Sequence, residues 1–260
     1  MVTRQMRLLA TLHRWWGVAF CLLFAMWFAS GIVMHFVPFP ARSERPLPHE
    51  IDALRKNAAR IDYDQWTVAG DFDRDRALSR IALDDDAGTE IYLSAASGRI
   101  VLTTTRTQRL ANYAGSIAHW LYATELRHHK RAWRALMWWL SLLATIGAAL
   151  GAILGVMRLG KAPAYRGLQR WHQICGLCCA PFLLAWIFSG FLSMDDGRLF
   201  AHSDDIFRTL HQLDFEPLSS HPWLRTGTIV TLCICGFAFS LTGVALARRR
   251  IREDETRRMG

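Results

Sequence analysis

The sequence predicts an all-α membrane protein, a four-transmembrane-helix bundle with a small α+β domain inserted between the first two spans. Three observations carry this expectation. Four stretches free of Asp, Glu, Lys and Arg are each long enough to cross a hydrocarbon core of about 30 Å at a rise of about 1.5 Å per residue. Between the first and second of them, short segments alternate apolar and polar residues in strand fashion. The chain is also 52% hydrophobic with 11 Trp and a formal charge of +9, which suits a membrane protein with interfacial aromatic belts better than a water-soluble one.

The four stretches run from Trp15 to Val37, Ala135 to Met157, Trp171 to Met194 and Thr226 to Ala247. The first, although preceded by Arg4 and Arg7, is too long for a signal peptide and lacks a convincing cleavage site, so a retained helix is expected. Arg4, Arg7 and Arg14 precede the first span; Arg158, Lys161, Arg166 and Arg170 fill the loop between the second and third; Arg248, Arg249, Arg250 and Arg252 follow the fourth. The positive-inside rule puts all three clusters in the cytoplasm, together with both termini. The basic excess therefore orients helices and meets anionic lipid, and nucleic acid is not expected as a partner.

The expected organisation is a cytoplasmic N-terminus and first span over 1–37, an external domain over 38–107, an amphipathic lead-in over 108–134, and spans two to four with a cytoplasmic C-terminus over 135–260. After the linker "VPFPARSERPLPHE", the stretch "EIDALRKNAARI" has helical spacing, while "LSRIALDD", "TEIYLSA" and "GRIVLTTT" read as strands separated by turn residues. From Gln108 to Arg134, Leu110, Ala114, Ile117, Ala118 and Leu121 mark one apolar face of a helix lying on the outer membrane surface. In the second span Gly147, Gly151 and Gly155 form a G-x-x-x-G-x-x-x-G face, open to a neighbouring helix or a flat ligand. Cys175, Cys178 and Cys179 fall inside the third span and read as small packing residues, and no external disulfide is expected.

One apolar segment is written twice. "TLHRWWGVAFCLLFAMWFASG" and "RWHQICGLCCAPFLLAWIFSG" align at one constant offset, with His13 on His172, Gly17 on Gly176, Trp27 on Trp186, Ser30 on Ser189 and Gly31 on Gly190. A lone histidine there reads as interfacial, but two at the same depth on different helices are what a bis-histidine haem b requires. Gly17 and Gly176 leave room for the macrocycle edge, and Arg14 and Arg170 are placed to neutralise its propionates. His35 lies 22 residues beyond His13, about 33 Å along a helix, so one iron cannot serve both. A second haem near the outer face would explain His35, with a partner among His119, His128, His129, His202, His211 and His221. His119, in the apolar run "SIAHWLYA", is the choice, with a half-buried structural histidine as its other reading.

"LHRWWG" at the head of the first span, the "SG" and "TG" dipeptides late in the spans, and the hairpin "IYLSAASGRIV" followed by a His-bearing lead-in resemble the PepSY-associated transmembrane family. Its di-haem members reduce ferric siderophores outside the bacterial inner membrane. The resemblance implies a PepSY-like external domain and haem ligands at His13, His172 and His119. It also implies two haems b delivering electrons to a periplasmic ferric chelate, and the donor expected for them is a quinol or a cytoplasmic one. The third span begins "LQRWH" where "LHRW" is usual in the family. No G-x-G-x-x-G follows a strand, so no nicotinamide or flavin site is expected. The competing expectation is a cofactor-free membrane protein whose external domain binds a peptide or protein partner in sensing or assembly.

Overall fold

The computed structural model describes residues 4–49, 53–159, 166–194 and 203–259. It is 67% helical, with four helices long and apolar enough to span a membrane and one small antiparallel sheet. Contacts divide the chain into two units, residues 1–32 with 134–260, and residues 33–133. The stretch expected as a separate lead-in over 108–134 therefore falls, up to Trp133, with the sheet.

In the first unit the spanning helices are α1 (Arg4–Phe36), α4 (Lys130–Met157), α5 (Leu168–Leu192) and α7 (Pro222–Met259). Each exceeds its expected span, because backbone hydrogen bonding continues past the apolar window into basic ends that water and headgroups solvate. Phe20, Phe28, Ala144, Ala148, Leu183, Ile187, Ile229 and Cys233 form the core of the unit. A short helix, α6 (Ser203–His211), was not expected. Leu213 just after it is 8% exposed and joins that core.

The second unit holds a four-stranded meander, β1 (Ala59–Ile61), β2 (Leu78–Ala82), β3 (Glu90–Ser94) and β4 (Ile100–Thr104), in that spatial order. The three strands expected from alternation are present. One apolar cluster gathers Trp66, Phe72, Leu78, Tyr92, Val101 and Leu102, and another gathers Ile81, Ile91, Leu93 and Ile100. Arg45 bridges to Ile100 on the free edge of β4. The helix expected over 50–61 is corrected. A single 3-10 turn covers Ala53–Asn57, and Ala59–Ile61 pair with Leu78–Arg80 as an edge strand. Pairing with β2 overrides a weak local helical preference. Residues 50–52 of that stretch lie outside the described residues.

The stretch from Gln108, expected as one helix, is broken: α2 (Arg106–Asn112) gives way to a π turn over Tyr113–Ile117. Leu110 is 64% exposed, whereas Asn112 and Ser116 are fully buried. Gly115 takes a non-helical backbone conformation (φ −91°, ψ −108°) inside a π turn, and its α-carbon faces Val33 so closely that an added Cβ would stand 3.0 Å from Cγ1. Asn112 Nδ2 donates to the carbonyls of Gln108 and Pro38. Close approach, which needs small or hydrogen-bonding residues, sets the side packed within the unit, and Leu110 is left on the outer side. A short helix, α3 (Thr124–His128), then precedes α4.

Candidate functional site

The site is built from the ends of the four spanning helices. On α1, His13 falls one turn before Gly17, and its ring packs against the backbone of α4 at Gly151. A Cβ on Gly151 would stand 2.5 Å from His13 Cε1 and 3.1 Å from Nδ1. Trp16 occupies the corresponding space over Gly147, where its Nε1 donates to the Leu143 carbonyl at 2.6 Å, and Leu177 covers Gly155. The glycine face of α4 thus receives side chains of α1 and α5. One of those side chains is a histidine expected to be functional.

On α5, His172 stacks on Phe239 of α7 with ring centroids 4.7 Å apart and planes 20° apart. Its Nδ1 is 2.7 Å from Thr242 Oγ1. His13 and His172 line one cavity of about 570 Å³, walled by α1, α4, α5 and α7. Gly17 borders it with nothing within 4 Å of where its Cβ would be, whereas a Cβ on Gly176 would meet the Phe239 ring at 3.0 Å. Of the repeated glycine pair, Gly17 is the one that leaves open space.

Arg14, expected as a propionate partner, lines this cavity. Arg170 does not, and it is exposed. Four arginines not singled out for this role do line it, namely Arg158 at the end of α4, Arg166, and Arg249 and Arg250 on α7. Glu253, an ion-pair partner of Arg250 at 3.0 Å, is on the same wall. Their sequence signal was the positive clusters flanking the spans, which topology accounted for completely. Nothing in the spacing said that three clusters converge on one mouth.

A flat, dianionic macrocycle with a metal centre fits this setting. The cavity offers two imidazoles from different helices and an arginine rim over an apolar interior. His13 Nδ1 itself is buried against α4, with no hydrogen-bond partner among the described residues. A metal–imidazole bond is one way to satisfy such an atom. Among the described residues no group of three or more His, Cys, Asp or Glu is gathered as a metal site. Two histidines lining one cavity are a different arrangement from the closed cages of structural zinc. Cys178 is exposed, and Cys175 and Cys179 are half-buried in α5.

His35 and His119 both belong to the second unit and are half-buried. Gly115, four residues before His119, packs on Val33, and Asn112 bonds the Pro38 carbonyl. The segment bearing His119 thus lies beside the chain that bears His35. His128 stacks on Tyr63 at 4.3 Å, and Ser220 bonds His221; His202 lies outside the described residues.

His211 is the histidine whose setting sequence reasoning missed. It ends α6 against α5, with Nδ1 3.0 Å from the Trp186 carbonyl and 3.1 Å from Ser189 Oγ. Its ring stacks on Phe207 at 4.8 Å. Since a carbonyl can only accept, Nδ1 donates. Desolvation in this pocket pushes its pKa down to about 4. The signal available was the Ser-Gly dipeptide at 189–190: Gly190, whose Cβ would stand 3.6 Å from the ring, leaves the space that His211 fills.

In the sheet unit several buried polar groups pair with one another. The Tyr92 hydroxyl lies 2.8 Å from Asp64 and 3.2 Å from Glu90, and burial beside these carboxylates pushes its pKa up. Arg42 and the buried Asp75 pair at 2.8 Å, and that bond holds Asp75 below the usual carboxylate range. No family model matches the chain, and no match is found among curated proteins.

Proposed function

We propose that this chain is a haem b protein of the bacterial inner membrane that passes single electrons across the bilayer to a periplasmic ferric chelate of the siderophore class. One observation carries the reading: His13 and His172, matched by the internal repeat, line the same cavity beneath a rim of arginines. When bound, haem supplies one-electron chemistry at a potential set by its ligands and surroundings. The protein's own residues do the rest. His13 and His172 hold the iron, Arg14, Arg158, Arg166, Arg249 and Arg250 hold the propionates, and Phe24, Phe239 and Leu183 keep water from the ring.

A second haem is assigned to His35 and His119, whose segments adjoin in the second unit. Each electron delivered converts one ferric ion to ferrous, and ferrous ion is held more weakly by hard oxygen donors because its charge is lower. The donor is a quinol or a cytoplasmic reductant, and both termini lie in the cytoplasm. The placement of the outer unit in the periplasm rests on charge asymmetry between loops. Support for the resemblance to PepSY-associated reductases comes from the repeated head motif and the Ser-Gly-Arg hairpin.

Proteoliposomes carrying the purified protein test this directly. With a reductant enclosed at the face bearing the arginine rim and a ferric chelate outside, ferrous iron is expected to accumulate outside only when haem is present. Absence of haem from fully folded protein would return the chain to the cofactor-free reading, in which the outer domain binds a partner.

A further inference from the structure

The hydrogen bonds behind His172 determine which of its nitrogens carries the proton. His172 Nδ1 lies 2.7 Å from Thr242 Oγ1. The same Oγ1 lies 2.6 Å from the carbonyl oxygen of Phe239, three residues back in α7. Both separations require a hydrogen between the heavy atoms. A carbonyl oxygen carries none and a threonine hydroxyl carries one. The Thr242 proton is therefore committed to Phe239, and the hydrogen facing Thr242 belongs to His172 Nδ1. A neutral imidazole has a single N–H, so its Nε2 keeps a lone pair. Phe239 and Gly243 line the cavity and Thr242 does not. The bonded edge of the ring is thus turned into the seam between α5 and α7, and the lone-pair edge is left for the cavity.

We propose that Thr242 is a positioning residue that locks His172 in the Nδ1–H tautomer and commits Nε2 to a ligand in the cavity. The proposal rests on the haem reading for the identity of that ligand. Three features make the lock specific. Phe239 supplies both the carbonyl that fixes the Thr242 proton and the ring stacked on His172, so one turn of α7 sets both tautomer and ring plane. Donation by Thr242 to Phe239 polarises the hydroxyl and strengthens it as an acceptor. A metal-bound imidazole whose other N–H is accepted in this way is the more basic ligand. No side-chain hydroxyl clamps His13 in this way: its Nδ1 is buried without a hydrogen-bond partner among the described residues, the Gly147 backbone bonds its ring, and the ring packs on Gly151. The two histidines are therefore held differently, and a change at Thr242 acts through His172 alone.

The test uses the full chain, labelled with ¹⁵N-histidine and prepared without haem, with His172 identified by comparison with His172→Gln. Ring nitrogen shifts and long-range couplings are expected to report Nδ1–H in the wild type and in Thr242→Ser, which keeps the hydroxyl. In Thr242→Val, which keeps the shape and removes the acceptor, the Nε2–H form should dominate. In the haem-loaded proteins the Val variant should hold the cytoplasmic haem roughly 10- to 100-fold more weakly, with a raised midpoint potential, and the Ser variant should restore both. An Nε2–H ring in the wild type overturns the lock, as does a Val variant with unchanged tautomer and potential. A chain that shows the expected tautomers but takes up no haem overturns the haem reading and, with it, the ligand role of Nε2.

Discussion

Gly151→Ala is the smallest change that strikes the candidate cavity. The added Cβ would stand 2.5 Å from His13 Cε1, 3.1 Å from Nδ1 and 3.3 Å from Nε2, where ordinary contact begins at 3.4 Å. The deficit at Cε1 is about 0.9 Å, and since three ring atoms are crowded together the imidazole has to move as a body. Metal–ligand bonds tolerate about 0.2 Å, so a displacement several times larger removes His13 from the iron. Overpacking of this kind costs roughly 1–3 kcal/mol, which a four-helix membrane bundle can absorb while staying folded. Two controls separate ligand loss from helix disruption. Gly155→Ala meets only the flexible end of Leu177, at 2.7 Å from Cδ2, and Gly17→Ala meets nothing within 4 Å. Pyridine haemochrome content per chain, with circular dichroism for folding, should show about one haem fewer in Gly151→Ala and no loss in either control. A Gly151→Ala protein with full haem content and unchanged low-spin paramagnetic resonance would refute the reasoning.

Four further outcomes follow from particular contacts. Gly17→Phe points a ring into the open cavity and should abolish haem uptake at that site while leaving the thermal melt of the haem-free protein nearly unchanged. Arg42→Met leaves the charge of Asp75, 4% exposed, buried without its partner, and should destabilise the sheet unit by roughly 3–5 kcal/mol in denaturant titrations. Because the folded pKa of His211 is depressed below its unfolded value, the unfolded state binds more protons in that interval. Stability should therefore fall as pH is lowered from about 6.5 toward 4, and His211→Phe should flatten that slope in melts. Reporter fusions after Arg250 should report cytoplasm and one at Gly88 periplasm; a periplasmic signal at Arg250 would overturn the side assigned to the cavity.

Much of the fold was legible because it is written in long or regular patterns. Charge-free runs of more than twenty residues have one common solution in a bilayer, and the alternation in 78–82, 90–94 and 100–104 names its own strands. What escaped depended on partners distant in sequence. Ala59–Ile61 is a strand only because β2 offers it an edge. The helix at 106–117 turns Asn112 and Ser116 inward because Gly115 brings the backbone against Val33, a contact no periodicity encodes. The histidine pair was legible from the repeat, since equivalent positions in equivalent helices share a depth. The glycines of α4 were seen as permitting close approach, but that Gly151 receives His13 itself depends on the rotation of α1 about its axis. The setting of His211 was invisible because a chain segment outside the spans has to fold back onto α5 to half-bury it.

The account stands on His13 and His172 sharing one metal, and paramagnetic resonance of the purified protein with its single and double variants measures that most directly. The wild type should give low-spin bis-histidine signals for about two haems. His13→Ala and His172→Ala should each remove the same signal, and the double variant should lose little more, since residues acting as one unit are non-additive. Retention of both low-spin signals in either single variant would contradict the account. The repeated segment would then describe helix packing alone.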